Sequence, residues 1–176
     1  KTISKFNKFK EFCVIGMGGS ILGSKAIYNF LNHKIKKKFS FIDNLNNVKF
    51  ETQAKKRKIN LIISKSGNTL ETLSNANILI KKKDKNLFIT ENKDSYLMNL
   101  AKKLKSDIVH HNDFIGGRYS VLSEVGMLPA ELMGLKQGKF KKFNSLIKNK
   151  SFLNSLVVNV SNTFYLIKKK RFNSII

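Results

Sequence analysis

The densest group of side chains able to bind an anion lies at residues 64–69, which read Ser-Lys-Ser-Gly-Asn-Thr. The segment combines hydroxyl groups, one ammonium group and a glycine among several backbone N–H groups. A short apolar run at 61–63 precedes it, and apolar residues at helical spacing begin at Leu70. In such a strand–loop–helix arrangement, orphan N–H groups and the positive end of the helix dipole face the same point. The segment indicates either a phosphate site or an ordinary capped turn, and it does not by itself decide between them.

The residues around Glu71 predict how the next helix begins. Asn68 and Glu71 are three positions apart, which is the spacing of a capping box, so Asn68 is expected to cap the helix. Leu70, Leu73 and Ile80 then form one apolar side, and the helix is expected to end near position 83.

A glycine-rich turn at residues 16–20, Gly-Met-Gly-Gly-Ser, follows another apolar run. Glycines in such a turn let the backbone approach a ligand closely. The dinucleotide fingerprint G-x-G-x-x-G is not matched, because Ile21 occupies the position of its third glycine. Asp43, after the next apolar run, is weak support for a nucleotide ribose. The turn therefore predicts ligand contact through backbone without indicating a dinucleotide.

A third polar segment presents a guanidinium group. Gly116 and Gly117 precede Arg118, so a flexible or tight loop carries that side chain. Arg118 is either a fixed cation near an anionic oxygen or a member of a surface ion pair. A helical pattern begins at Val121, and Pro129 within it predicts a kink or a break near position 128.

Five short apolar runs alternate with helical patterns, and this alternation predicts a doubly wound parallel α/β sheet of five strands. The predicted strands are residues 12–15, 39–42, 59–63, 87–89 and 108–109. The predicted helices are residues 21–32, with Leu22, Ala26, Ile27, Phe30 and Leu31 inward, 48–57, 70–83, and one carrying Leu97, Leu100, Ala101 and Leu104. Ligands of such sheets bind beyond the carboxyl ends of the strands. Residues 16–20 and 64–69 both follow strands, which favours the phosphate site over the capped turn.

Composition sets further limits. The 176 residues carry 34 Lys+Arg against 11 Asp+Glu, a net charge of +23, which indicates either a nucleic-acid binder or a lysine-rich bias of the source. The bias is favoured because the lysines are spread along the chain.

Cys13 is alone, and His33, His110 and His111 lack metal-ligand spacing, so neither a disulfide nor a metal is expected.

No membrane segment is predicted. Residues 1–9 lack the apolar core of a signal peptide. The uncharged run at 151–167 contains several Ser and Asn residues and reads as an amphipathic helix whose apolar stripe is core or interface. A cytoplasmic setting without a membrane partner is expected.

The three motifs, taken in order, resemble the glucose-6-phosphate isomerase (phosphoglucose isomerase) family. The first two alone would indicate only a sugar isomerase (SIS) domain, whereas the third is much more specific. The matching segments are residues 16–20 with Leu22-Gly23, residues 64–72, and residues 116–123 with Val125-Gly126 and the tail 129–134.

This resemblance implies an αβα sandwich, the first SIS domain, over residues 1–137 and a helical connector towards a second SIS domain over 138–176. It implies that Arg118 is catalytic and stabilises an enediolate intermediate. It implies a substrate-binding set made of Gly19, Ser20, Ser64, Lys65, Ser66, Gly67, Asn68, Thr69 and Gly117. Ser66 and Asn68 stand where the family usually has Thr, and Ser66 keeps the hydroxyl.

The resemblance further implies interconversion of glucose 6-phosphate and fructose 6-phosphate in glycolysis and gluconeogenesis, without metal or cofactor, in a homodimer. The family's glutamate base, histidine and C-terminal lysine match nothing in these 176 residues, so this chain alone is expected to be inactive. Two alternatives remain: a lone SIS module that binds phosphosugars without chemistry, and a basic nucleic-acid binder.

Overall fold

The structure, a computed structural model, describes residues 2–45, 58–81 and 84–171. Within these ranges the chain forms one parallel sheet of five strands. The strands are β1 (Glu11–Gly16), β2 (Lys38–Ile42), β3 (Lys58–Ile63), β4 (Lys85–Thr90) and β5 (Asp107–His110). All five predicted strands are confirmed, each extended by one to three residues.

The strand order is β2-β1-β3-β4-β5, and every neighbouring pair is parallel. The chain leaves β1 towards one edge of the sheet and, after β2, crosses to the other side to form β3. The switch point therefore lies between β1 and β3, where Gly16 is level with Ile63. This order confirms the doubly wound fold predicted from the alternating pattern.

Helices cover both faces of the sheet. They are α1 (Thr2–Phe6), α2 (Leu22–Leu31), α3 (Leu70–Leu79), α4 (Tyr96–Lys103) and α5 (Glu124–Leu132). Further along the chain lie α6 (Asn144–Ile147) and α7 (Lys150–Lys168). Successive residues of β1 point to opposite faces: Phe12 joins the core cluster with Leu128, and Cys13 joins the cluster with Ala101. This two-sided burial explains why the strands are continuous apolar runs.

Two predicted helices differ in their details. In α2 the predicted apolar face is confirmed only in part: Ile27 packs against the core, but Leu22 and Phe30 are exposed. Ser24, which was not predicted to face inward, is buried. Ser24 tolerates burial because its hydroxyl donates to the carbonyl of Ile21 at 2.9 Å. The helix α3 ends at Leu79, short of position 83. The predicted helix at 48–57 lies outside the described residues.

The segment around Pro129 also differs from expectation. Residues Gly117–Leu122 form a 3-10 helix, and α5 begins only at Glu124, after Ser123 accepts a capping hydrogen bond. The helix then continues past Pro129 to Leu132 without the predicted break. The proline removes one backbone donor, and the burial of Leu128 and Leu132 in the core offsets that loss.

The chain divides into two compact units, Lys1–Gln137 and Gly138–Ile176. The second unit contains α6 and α7, and every residue of α7 is exposed. The prediction that the α7 stripe is core or interface stays a prediction. No helix in the described ranges combines the length and apolar character needed to cross a membrane.

Candidate functional site

Three segments meet at the carboxyl edge of the sheet. Residues 16–20 begin at the last residue of β1, residues 64–69 follow β3, and residues 112–118 lie shortly after β5. We call them the glycine turn, the hydroxyl loop and the arginine segment. The first two flank the switch point between β1 and β3, where a parallel sheet of this order opens a crevice for ligands.

The hydroxyl loop gathers its oxygens at one point. The Oγ of Ser64 lies 2.9 Å from the Oγ1 of Thr69, and Ser64 is buried. Ser66 is exposed, and its Oγ accepts a hydrogen bond from the N–H of Asn68 at 3.2 Å. The loop thus closes on itself through side-chain hydroxyls and leads directly into α3, whose N-terminal dipole favours an anion at this position.

The N-terminal end of α4 fixes the hydroxyl loop from the other side. The N–H of Leu97 donates to the carbonyl of Gly67 at 3.0 Å. Gly67 has φ +68°, and a Cβ there would overlap the hydroxyl of Ser95 at a separation well under 3.0 Å. Only glycine combines this left-handed backbone with so close an approach.

The predicted capping box is wrong. Thr69 is the N-cap residue of α3 and makes no side-chain cap hydrogen bond. Asn68 instead accepts from the N–H of Tyr96, the first residue of α4, at 2.9 Å. Leu70, predicted to face inward, is exposed. The first turn of α3 is thus not capped by the side chain of Thr69, so its N–H groups suit an external anion.

Glycines pack the first and third motifs together, and we call this contact the glycine junction. A Cβ on Gly19 would overlap the carbonyl of Gly117 and lie 2.9 Å from the N atom of Arg118. A Cβ on Gly23 would lie 2.6 Å from the Cγ2 of Val121. The hydroxyl of Ser120 donates to the carbonyls of Gly117 at 2.6 Å and Gly19 at 3.3 Å.

The glycine junction determines where Arg118 lies. The arginine is in the first turn of the 3-10 helix, with its backbone against Gly19 and its side chain exposed. The structure therefore brings together Gly19, Gly117 and Arg118 from two distant motifs, with Ser20 in the same glycine turn.

Lys65 lies between the hydroxyl loop and the arginine segment. Its Nζ donates to the carbonyl of Asp113 at 2.9 Å and lies 3.3 Å from the Oε1 of Glu91. The other carboxylate oxygen of Glu91 accepts from Lys93 at 3.0 Å. Burial alone raises the pKa of Glu91, but hydrogen bonds and charges from Lys93 and Lys65 outweigh burial and hold that pKa below its usual value.

The sequence interpretation missed Glu91. One signal was present, since the residue comes directly after β4, the neighbour of β3, and so lies on the ligand edge. A second carboxylate, Glu124 at the start of α5, accepts from the N–H of Asn112 at 2.7 Å. The Oε1 of Glu124 also lies 2.8 Å from the Nδ1 of buried His111, but the two groups are not oriented to form a hydrogen bond.

The fold defines the class: this is an α/β domain with the fold of the SIS phosphosugar isomerases. A hypothetical protein of Thermus thermophilus has a TM-score of 0.67 and 24% identity, covering 78% of this chain and 38% of that one. The tagatose-6-phosphate ketose/aldose isomerase of Escherichia coli has a TM-score of 0.58 and 14% identity, covering 88% and 46%. At these identities the likeness establishes the fold.

The family follows from sequence. Residues 3–162 match the family described as phosphoglucose isomerase, so the chain belongs to the phosphoglucose isomerase family. The glucose-6-phosphate isomerase of Methanocaldococcus jannaschii is 34% identical over 86% of this chain and 42% of that protein. The enzyme of Mycoplasmopsis pulmonis is 31% identical over 97% and 46%. The resemblance predicted from the motifs is confirmed, and the chain spans less than half the length of these relatives.

Proposed function

We propose that this chain supplies the first SIS domain, with its phosphosugar site, of an enzyme that interconverts glucose 6-phosphate and fructose 6-phosphate. The proposal rests on one observation: hydroxyl groups that can bind a phosphate and a guanidinium group that can stabilise an oxyanion lie at the same edge of the sheet. The hydroxyl pair of Ser64 and Thr69 lies beside the N-terminus of α3. The glycine junction places Arg118 at the same edge.

The hydroxyl loop binds the phosphate group of the sugar in this proposal. Ser64, Ser66 and Thr69 provide hydroxyl donors, and the first turn of α3, which the side chain of Thr69 does not cap, provides N–H groups. Gly19, Ser20 and Gly117 contribute close backbone approach around the sugar. Hydrogen bonds to a charged phosphate are stronger than neutral ones, so the loop fixes the ligand in one orientation.

Arg118 acts on the other end of the sugar. Isomerisation moves a proton between C2 and C1 through an enediolate, whose developing oxyanion is stabilised by a preorganised cation. The proton itself requires a base. Glu91 is a poor base because two lysines occupy its carboxylate and lower its pKa. Glu124 accepts a backbone hydrogen bond at 2.7 Å. We therefore assign the base to the remainder of the whole protein.

A coupled assay for fructose 6-phosphate tests this division of labour. Purified chain and a longer protein containing a second SIS domain are compared at equal concentration with glucose 6-phosphate. We expect turnover only from the longer protein. Comparable turnover from both would mean that a base exists among these 176 residues, and no turnover from either would contradict the isomerase function.

Ligand binding is tested on this chain directly. Glucitol 6-phosphate carries the phosphate but no carbonyl, so it binds without reacting. We expect calorimetry to detect glucitol 6-phosphate and not glucitol, because the phosphate supplies the charge-assisted hydrogen bonds. Equal heats from the two compounds would contradict the phosphate site.

A phosphosugar-binding module without catalysis is the second candidate. The NanR protein of Vibrio vulnificus, solved in complex with ManNAc-6P, shares the fold at a TM-score of 0.56 and 14% identity. A longer protein that binds glucitol 6-phosphate but shows no turnover would favour this candidate.

Two partner proposals complete the assignment. We propose that the net charge of +23 does not mark a nucleic-acid site, so duplex DNA titrated at low and physiological salt should bind weakly at the first and not at the second. We also propose that the whole enzyme is a homodimer, which light scattering on the longer protein would establish.

A further inference from the structure

The cation of the hydroxyl loop is engaged on protein groups. The Nζ of Lys65 donates to the carbonyl of Asp113 at 2.9 Å, and the Oε1 of Glu91 lies 3.3 Å away. The Lys65 side chain is 28% exposed, against 63% for Lys93. A partly buried ammonium with two oxygen partners is held in place, whereas a freely exposed lysine samples many rotamers.

Glu91 holds residue 65 through both backbone and side chain. Its N–H donates to the carbonyl of Lys65 at 3.1 Å, while its carboxylate, 10% exposed, pairs with the ammonium of the same residue. The hydroxyl of Thr90 also donates to the Lys65 carbonyl at 3.3 Å. The carboxylate therefore compensates the lysine charge where the loop leaves β3.

The other end of this contact lies in the arginine segment. Asp113, whose carbonyl accepts from Lys65, is separated from Arg118 by four residues. Its neighbour Asn112 is held by Glu124 at 2.7 Å, and the N–H of Phe114 donates to the Oδ1 of Asn112 at 2.9 Å. Lys65 is thus a direct side-chain bridge from the hydroxyl loop to the segment that carries Arg118.

We propose that Glu91 is a positioning residue that holds the Lys65 ammonium as a bridge between the hydroxyl loop and the arginine segment. Lys65 then steadies the stretch from Asp113 that leads to Arg118, whose own backbone the glycine junction holds, and the Lys65 side chain is not the phosphate-binding cation. This inference rests on the proposed function, because it assigns roles within the same site.

The two possible roles of Lys65 predict different phosphate affinities in a mutant series. If Lys65 binds phosphate, Lys65→Met weakens binding of inorganic phosphate and Glu91→Gln, which releases the ammonium, strengthens it. If Lys65 is a bridge, both variants leave inorganic phosphate binding within about twofold and both loosen the arginine segment. The double variant is then no looser than either single variant, because the two residues act as one unit.

Hydrogen exchange on this chain measures the bridge. We expect amides of residues 112–118 to exchange about fivefold faster in Lys65→Met and in Glu91→Gln, the factor given by one hydrogen bond of typical net strength. Lys93→Met is the matched control, since it removes the other lysine of the same carboxylate, and its exchange should stay unchanged. Lys65→Arg should keep the slow exchange of the unmodified chain, because a guanidinium can pair with both oxygens.

The split between kcat and KM distinguishes a positioning role from a purely structural one. In the longer protein, Lys65→Met and Glu91→Gln should lower kcat more than they raise KM for glucose 6-phosphate. Unchanged exchange at residues 112–118 in Lys65→Met overturns the bridge, as does a tenfold loss of phosphate affinity there with a gain in Glu91→Gln. If the unmodified chain binds no glucitol 6-phosphate, the proposed function fails, and the exchange data still decide whether the bridge exists.

Discussion

The glycine junction and the hydroxyl loop lie at the same sheet edge but are positioned by different forces. At the junction, Gly19 and Gly117 touch backbone to backbone, and there is no room for a Cβ on Gly19. In the loop, Ser64, Thr69 and Lys65 are placed by hydrogen bonds and one ion pair. One region is held by shape and the other by polar contacts.

The difference teaches what each region can tolerate. Steric contact fails abruptly, because a single added methyl group has to displace backbone. Polar contact weakens by degrees and depends on pH and partner charge. In the proposed function, the junction fixes Arg118 for the transition state and the loop binds and releases a phosphate.

The largest effect is expected from Gly19→Ala, which places a Cβ against the carbonyl of Gly117. We expect a loss of about 3 kcal/mol in the free energy of unfolding measured with urea. Gly18→Ala is the control, since Gly18 has φ +54° and open space around it, and should cost only about 1 kcal/mol of backbone strain. Equal losses would mean that the junction is not sterically closed.

The next effect concerns Arg118, whose backbone lies at the glycine junction. In the longer protein, Arg118→Lys should lower kcat about 10²-fold, equal to about 2.7 kcal/mol, because lysine cannot reproduce the planar fork. KM should change little. Arg171→Lys, at an exposed position, is the same substitution outside the site and should leave both constants unchanged. A rise in KM alone would make Arg118 a ground-state binding residue.

A smaller effect is expected in the hydroxyl loop. Replacing Ser64 and Thr69 together by Ala should weaken glucitol 6-phosphate binding by about 2 kcal/mol in calorimetry. Stability should change little, because the two hydroxyls are partners at 2.9 Å and are lost together. Thr163→Ala, in α7, is a hydroxyl control. Unchanged affinity in the double variant would remove the phosphate role from this loop.

The smallest effect is a pH dependence of the polar region. The pKa of Glu91 is lower in the folded chain than its ordinary value, so its ion pairs stabilise the fold above about pH 4.3. That contribution is lost as the pH falls through the lowered pKa. Glu91→Gln lacks this proton uptake, so urea titrations should show a smaller loss of stability on acidification than in the unmodified chain. Parallel pH profiles would contradict the paired state of Glu91.

The sheet could be predicted from sequence because its strands are buried on both faces. Residues 61–63 form an uninterrupted apolar run, and they are fully buried in β3. The rule that ligand loops follow parallel strands then located the glycine turn and the hydroxyl loop. The strand order depends on long-range pairing that no local pattern encodes, so it came only from the structure.

Contacts between elements that are distant in the chain could not be predicted from the sequence pattern. The spacing of Asn68 and Glu71 indicated a local cap, but Asn68 is used by α4, which lies 28 positions away at Tyr96. The contacts of the Lys65 ammonium with Asp113 and Glu91 were likewise not indicated by any local spacing. A side chain with several rotatable bonds chooses its partner from the tertiary neighbours, and these are known only once β3 and β4 are side by side.

The hydrogen bond from Ser120 to Gly19 joins residues 101 positions apart, and this separation orders the assembly of the site in time. The hydroxyl loop and its anchor on α4 can form when the chain has collapsed from β3 to α4, over short loops. The glycine junction closes a much longer loop, whose entropy must be lost before the contact stabilises anything. We expect the hydroxyl loop to form early in folding and Arg118 to take its place last. The folding φ-value of Gly19, which is the ratio of a mutation's effect on the folding barrier to its effect on stability, should then be near zero.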